Sequence, residues 1–165
     1  MLGRMTDRAD ALIAALQLQP HPEGGHYREV FRSDDEVAPR DGRTARRAIT
    51  SIDFLLRAGE FSAWHRVASD EVWHLLEGGP LRLWLMPPSG DRVESVELAP
   101  VGGGRTPRHV VPAHWWQAAE PLGAFVYCAA TVAPGFEFAD FVFLRAAPAD
   151  ADRLRTLDAS LARLF

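Results

Sequence analysis

Short stretches of alternating apolar and polar residues make up most of the chain, and clusters of glycine, proline, serine and aspartate separate them. Alternation with a period of two is typical of strands that bury one face and expose the other. The pattern predicts nine or ten short strands, which fall within residues 25–33, 48–56, 59–79, 81–86, 92–98, 115–119, 125–132 and 136–144. Many short strands separated by turns favour an antiparallel sandwich or barrel.

Helical periodicity is confined to the two ends of the chain. Residues 7–17 place several apolar side chains on one side of a short helix. Pro148 suits the first turn of a second helix over 149–164, whose leucine stripe we expect to cover one sheet or to meet its twin in a dimer. We therefore predict one all-β domain over residues 1–165, with a core barrel over about 22–145 and a short helix at each end.

The stretch 59–79, GEFSAWHRVASDEVWHLLEGG, predicts a strand, a short turn and a second strand. By alternation His65 shares a face with Ala63 and Val67, and Glu71 shares a face with Trp73. If the two strands pair as an antiparallel hairpin with His65 inward, Glu71 also points inward. An imidazole and a carboxylate inside an apolar wall are a candidate pair for proton transfer or metal binding.

Composition narrows the classes of partner. The chain has 165 residues, a net charge of −4 and a pI near 5.8, so we expect no nucleic-acid partner. No run approaches the roughly 20 apolar residues that span a bilayer, so we expect no membrane partner either. Cys128 is the single cysteine and lies in an apolar run, which excludes an internal disulfide and predicts a cytoplasmic protein with a buried thiol.

Two sequence motifs are similar to those of cupins. The residues Gly59, His65, Glu71 and Gly78 match the first cupin motif, G-x5-H-x-H-x3/4-E-x6-G, except that Val67 stands at the second histidine. The segment VPAHWWQ at 111–117 echoes the second motif, with Pro112 kept and Gln117 in place of the last histidine.

Four blocks in the same order extend this likeness to one family. The segments PEGGHYREVFRS and TVAPGFEFADF, at 22–33 and 131–141, flank the blocks at 62–81 and 110–119. Together they resemble the cupin-5 family, DUF985. The resemblance implies a cupin jelly-roll barrel, or double-stranded β-helix, a small-molecule pocket and a homodimer.

The resemblance also bears on metal binding. A standard cupin centre has two histidines two residues apart, a glutamate after the turn and a third histidine on a later strand, a set that suits Fe, Mn, Ni or Zn. In this chain His65, Glu71 and Gln117 occupy three of these positions, and Val67 removes the fourth. Because an amide is a poor ligand for such metals, we expect that no cofactor is required. A divalent metal held by these three residues, in a metal-dependent oxygenase, remains the less favoured alternative.

Without a metal, His65 and Glu71 are a candidate acid/base pair. The arrangement is similar to that of metal-free cupins that epimerise nucleotide-activated keto sugars, with a histidine as base and a tyrosine as acid. This likeness implies an isomerase or epimerase acting on a carbohydrate or nucleotide-sugar-like ligand, with His65 as base and Tyr27 or Tyr127 as acid. The alternative is a ligand-binding or sensor cupin without catalysis, in which His65 and Glu71 form only a buried hydrogen-bonded pair.

Further side chains are expected on the pocket wall. Gln117 is placed to orient a carbonyl or hydroxyl, and Trp73 and Trp115 supply flat surfaces on which sugar rings and bases pack. Alternation along strand 25–33 adds Glu29 beside Tyr27, with a satisfied core tyrosine and a strand-end ion pair as the open alternative. The remaining histidines near turns, at positions 21, 26, 109 and 114, are expected at the surface.

Overall fold

Most of the chain forms short antiparallel strands. The computed structural model describes residues 2–165, with side chains from Arg8 onward. Its strands are β1 (Gln19–Pro20), β2 (His26–Arg32), β3 (Glu36–Val37), β4 (Arg46–Arg47), β5 (Thr50–Arg57), β6 (Ser62–Val67), β7 (Asp70–Gly78), β8 (Leu81–Met86), β9 (Glu94–Leu98), β10 (Arg108–Val111), β11 (Trp116–Pro121), β12 (Phe125–Ala133) and β13 (Phe141–Phe143). The helices are α1 (Leu2–Leu16) and α2 (Pro148–Leu157), with 3₁₀ helices at Phe138–Asp140, Leu144–Ala146 and Ala159–Leu164.

The strands form two main sheets that pack face to face. One has six strands in the order β1-β2-β5-β12-β7-β10, and the other has five in the order β13-β6-β11-β8-β9. A separate two-stranded ribbon joins β3 and β4. The predicted all-β class, with its jelly-roll arrangement and short flanking helices, is confirmed. No helix within residues 2–165 is long and apolar enough to cross a membrane.

The predicted hairpin over residues 59–79 is wrong in its pairing, although both strands form where expected. Strand β6 pairs with β11 and β13, whereas β7 pairs with β10 and β12. The chain therefore passes from one sheet to the other between Val67 and Asp70. As a result His65 and Glu71 approach each other from the inner faces of opposite sheets, instead of as neighbours within one sheet.

Apolar side chains fill one end of the space between the sheets. Phe54, Trp73, Leu83 and Leu85 are among the residues buried there, at no more than 1% exposure. The interior at the other end contains polar side chains and an open cavity.

The two terminal helices cover the outer faces of the sheets. Helix α1 begins earlier than predicted, at Leu2, and packs Ala9 and Leu12 against Leu55 and Phe125 of the six-stranded sheet. The C-terminal stripe packs Leu154, Leu161 and Leu164 against Trp64 and Trp116 of the five-stranded sheet, as expected.

The predicted continuous helix over 149–164 is wrong, because the backbone of Asp158 is extended and ends α2. The Asp158 carboxylate instead accepts a hydrogen bond from the backbone N–H of Ser160 and starts the final 3₁₀ helix. The interruption turns Leu157 away from the sheet and leaves it 40% exposed.

A glycine fixes the connection that precedes β2. Gly24 has φ +112°, and a Cβ built there would lie 2.0 Å from the Phe61 carbonyl oxygen. The neighbouring carbonyl of Glu23 accepts a hydrogen bond of 2.7 Å from the backbone N–H of Ala63. Since only glycine allows so close a backbone approach, the connection lies directly against the start of β6, and Glu23 lies beside that strand.

We predict that Gly24→Ala lowers the free energy of unfolding by at least about 2 kcal/mol, since the new methyl group meets backbone in a left-handed conformation. Gly42→Ala is the matched control, because Gly42 also has positive φ but has open space around it. Urea unfolding followed by circular dichroism measures both. A cost for Gly24→Ala no larger than that of the control would contradict the close approach.

Candidate functional site

A cavity of about 400 Å³ lies between the sheets, at the end not filled by the apolar core. We call the buried set Glu23, His65 and Glu71 its inner end. Its mouth is formed by exposed lining residues, namely Arg28, Glu29, Arg32, Glu137 and Phe138. The volume is in the range of pockets that hold small-molecule ligands.

Both ring nitrogens of His65 have defined partners. Nδ1 lies 2.7 Å from the carbonyl oxygen of Ala63, so an Nδ1–H group donates to that carbonyl. Nε2 then faces the carboxyl group of Glu23, with its Oε2 at 3.2 Å. The ring of Phe141 stacks on the imidazole at 5.0 Å between centroids. These contacts fix the orientation of His65 and direct Nε2 toward Glu23.

Glu71 is held from behind by a chain of two buried side chains. Nε2 of Gln117 donates to Oε2 of Glu71 at 2.6 Å, and Oε1 of Gln117 accepts from Nε1 of Trp73 at 2.9 Å. The Trp73 ring is itself part of the apolar core. Gln117 therefore has both ends of its amide engaged, and Glu71 has one oxygen fixed.

Burial shifts the pKa values of the buried groups in the direction that favours their uncharged forms. It raises the pKa of Glu23 to about 8 and that of Glu71 to about 7, because the ionised carboxylate loses its hydration on burial. Burial also lowers the pKa of His65 and lowers that of His21 to about 4. At neutral pH the protonated carboxyl of Glu23 thus faces an unprotonated nitrogen, an arrangement suited to proton transfer.

The mouth contains a network of ion pairs. Arg32 donates to both carboxylate oxygens of Glu29 at 2.8 Å and to Glu137 at 3.1 Å. Strict alternation along β2 would place Arg32 on the face opposite Glu29. A register shift between Glu29 and Phe31 moves Arg32 to the same side and leaves Phe31 53% exposed.

Phenylalanines of residues 136–141, which we call the aromatic segment, form one wall. Phe136, Phe138 and Phe141 line the cavity, with ring centroids 5.0 to 6.4 Å apart. Asp140 anchors the segment by accepting hydrogen bonds from Arg43 and Arg46. The segment is thereby fixed over the cavity by buried or partly buried ion pairs.

The structure brings some of the sequence-predicted residues together and separates others. His65, Glu71, Tyr27 and Glu29 all line the cavity. Gln117 lies behind Glu71 and does not line it.

Trp73, Trp115 and Tyr127 also lie outside the lining. Trp73 is core, and Trp115 packs on the edge of that core, with the guanidinium of Arg92 5.6 Å from its ring. Tyr127 points to the outer face of β12, beside α1, and its hydroxyl donates to Asp53. The aromatic wall expected from the tryptophans comes instead from the aromatic segment.

The sequence pattern did not point to Glu23 or His21 as site residues, although both line the cavity. His21 was expected at the surface, but its side chain is only 6% exposed, and its ring packs edge-on against Tyr27 at 4.3 Å. Its Nδ1 accepts a hydrogen bond from the backbone N–H of Glu23. The one available signal was an acidic residue followed by two glycines, Glu23-Gly24-Gly25, which marks a close backbone approach that carries a carboxyl group with it.

Two rolled antiparallel sheets, with a histidine and a glutamate turned into the space between them, define the class of protein as a cupin. A family model described as the cupin superfamily (DUF985) matches residues 10–144, so the chain belongs to this family. A comparison with curated proteins finds none that matches.

Some solved structures resemble the chain in both sequence and fold, and others resemble it in fold alone. A hypothetical protein from Leishmania major is 29% identical, with a TM-score of 0.80, over 94% of this chain and 95% of that one. A protein from Shewanella oneidensis is also 29% identical, with a TM-score of 0.78, over 94% and 93%. Oxalate decarboxylase from Bacillus subtilis is 15% identical, with a TM-score of 0.56, over 83% and 33%, which establishes a shared fold alone.

The metal positions of cupins can be compared with the residues found here. Val67 offers no ligand atom, and both ends of the Gln117 amide are engaged with Glu71 and Trp73. In the part of the chain that the structure describes, no group of three or more histidine, cysteine, aspartate or glutamate side chains is arranged to hold a metal ion. The residues at these positions therefore do not fit a standard cupin metal centre.

The buried carboxyls predict a stability that falls as pH rises. Glu23 and Glu71 bind protons more tightly in the folded chain than in the unfolded chain, whose glutamates titrate near 4.5. His21 and His65 shift in the opposite sense, but their effect ends near pH 6.5, the unfolded value. Between pH 6.5 and 8 the two carboxyls act alone, and the free energy of unfolding should fall by about 2 kcal/mol.

Urea unfolding at several pH values measures this decline. Glu23→Gln, which cannot ionise, should reduce it to less than about 1 kcal/mol. Glu36→Gln is the matched control, since Glu36 is exposed and outside the cavity lining, and it should keep the full decline. A flat profile for the unmodified chain would show that the two carboxyls titrate as ordinary surface groups.

Proposed function

We propose that this cupin is a metal-independent isomerase or epimerase that acts on a small carbohydrate-like ligand with a carbonyl group. The observation that carries the proposal is the position of His65 Nε2, 3.2 Å from Glu23 at the inner end of a cavity of about 400 Å³. A histidine base paired with a carboxyl group supports general acid–base chemistry, and burial raises the pKa values of Glu23 and Glu71 to about 8 and about 7.

In the proposed reaction the His65–Glu23 pair acts as the base: Glu23 passes its own proton to Nε2 of His65, and its freed carboxylate removes a proton from the carbon next to the carbonyl. The C–H bond breaks, and its electron pair moves through the new carbon–carbon double bond to the carbonyl oxygen. Tyr27, which lines the same cavity, donates a proton to that oxygen. Protonation of the opposite face of that carbon gives an epimer, and protonation of the neighbouring carbon gives an isomer; in each case a hydroxyl group of the enol returns a proton to Tyr27 as the carbonyl forms. No oxidant or reductant is consumed.

Glu71 supplies a second exchangeable proton at the inner end. Its pKa of about 7 leaves it partly protonated at neutral pH, and the bond from Gln117 fixes one oxygen. The other oxygen remains available to a ligand hydroxyl. This supports a role for Glu71 in binding or protonating the ligand, with Gln117 as a positioning residue behind it.

A second candidate is a ligand-binding cupin without catalysis. It is favoured by the fact that His65 and Glu71 each have a hydrogen-bond partner within the protein, as expected of buried polar side chains in any fold. In this case the same cavity binds a sugar-like molecule and returns it unchanged.

We also infer a cytoplasmic homodimer. Exposed apolar side chains on strands β2, β7 and β10 of the six-stranded sheet support a second copy as partner. Val30, Phe31, Leu76 and Val110 are each at least half exposed. Burying such residues against a second subunit is a common way of covering apolar surface.

Proton exchange with solvent tests the proposed reaction. A panel of keto and aldo sugars incubated with the protein in D₂O should show deuterium at the carbon next to the carbonyl, measured by NMR. His65→Gln should lower the exchange rate at least 100-fold, since general-base catalysis contributes about that factor or more.

The matched control is His74→Gln, because His74 lies on β7 but outside the cavity lining. Exchange retained by His65→Gln would remove His65 from the mechanism. Ligand binding without exchange would favour the sensor. Stoichiometric Fe, Mn, Ni or Zn in protein purified without added metal would support the oxygenase instead.

A further inference from the structure

The charges around the cavity are unevenly distributed between its two ends. Four carboxyl groups line it, two at the inner end and two at the mouth. The chain contains no lysine, so arginines supply all of its fixed positive side chains. The two arginines of the lining, Arg28 and Arg32, both belong to the mouth. Arg32 is already shared between Glu29 and Glu137.

The inner end has carboxyl groups without a fixed counter-charge. Glu23 and Glu71 are each 7% exposed, and His65 is the basic group nearest to them in the lining. Oε2 of Glu71 accepts from Gln117, whereas Oε1 has no hydrogen-bond donor among the described residues. An anionic ligand group placed here would meet two carboxyls. A cationic group would supply the counter-charge that allows both carboxyls to ionise.

The aromatic segment adds a second feature that favours a cation. Phe141 stacks on His65 and so lies at the inner end, while Phe136 and Phe138 continue the wall toward the mouth. The negative face of a phenyl ring attracts an ammonium group, most strongly where water is excluded. Aromatic rings next to carboxyl groups are the combination that proteins use to bind alkylated amines.

We propose that this cavity selects a positively charged ligand, of the chemical class of primary or methylated amines, whose ammonium group lies between Glu23 and Glu71. The charge preference follows from the cavity itself. The further inference that the substrate is an amino sugar rests on the proposed function. A phosphorylated or nucleotide-linked sugar is disfavoured, because its phosphate would lose hydration without gaining a cationic partner at the inner end.

A small panel of probes tests the charge preference directly. D-glucosamine, D-glucose, D-glucose 6-phosphate and tetramethylammonium chloride are titrated into isotopically labelled protein at pH 7, and shifts of the backbone amides around the cavity give each dissociation constant. We expect D-glucosamine to bind at least ten times more tightly than D-glucose. D-glucose 6-phosphate should bind more weakly than either.

Variants locate the preference at the inner end. Glu71→Gln should reduce the advantage of D-glucosamine over D-glucose by about tenfold. The variant removes the carboxylate that faces the ammonium group, whereas the hydroxyl contacts that the two sugars share are kept. Glu23→Gln serves as a second variant if the first disturbs folding, which the amide spectrum reports. Glu36→Gln, at an exposed position outside the cavity lining, should leave the preference unchanged.

Several outcomes would overturn the inference. Equal binding of D-glucosamine and D-glucose, tighter binding of the phosphate, or no cavity shifts with either ammonium probe would each exclude charge selection. A preference that survives both inner-end variants would exclude the assigned position. Binding of tetramethylammonium with no sugar bound would support charge selection and overturn the carbohydrate part of the proposed function. Binding of an amine without proton exchange would support charge selection and favour the ligand-binding cupin without catalysis.

Discussion

The site depends on one close approach between two segments that are distant in sequence. The connection before β2 lies against the start of β6, and this places the carboxyl group of Glu23 3.2 Å from His65 Nε2. Gly24 makes the approach sterically feasible, and the hydrogen bond from Ala63 to the Glu23 carbonyl holds it. Without this approach His65 would face an open cavity with no partner for Nε2. The pKa values of the groups at the inner end, and the proton transfer that they support, would then change.

Burial determines the character of the site more than any ion pair does. Both inner carboxyls have pKa values above the usual range because the fold removes them from water without supplying an arginine. At the mouth, by contrast, Arg32 compensates Glu29 and Glu137, and these groups remain accessible to solvent. One cavity therefore contains a polar, charged entrance and an inner end where charge is costly. Ligand recognition and proton transfer can be separated along its length.

Local sequence patterns predicted the elements well and the site in part. Alternation located β5, β6, β7 and β12 and turned His65 and Glu71 inward, because a buried face constrains side chains every second residue. The same rule failed at Arg32, where a bulge shifts the register by one residue. It also could not show that β6 and β7 belong to opposite sheets, since that depends on partners elsewhere in the chain. Glu23 was missed for the same reason, as its contact with His65 is made only in the folded chain.

The buried amide of Gln117 makes this chain difficult to convert into a metal-binding cupin. Substituting a histidine at position 117 alone would restore one ligand, but it would leave the indole N–H of Trp73 without its acceptor in the apolar core, at a cost of about 1–3 kcal/mol. Val67 would still lack a ligand atom. A stepwise change of this site into a metal centre would therefore pass through variants that are less stable and still lack a ligand.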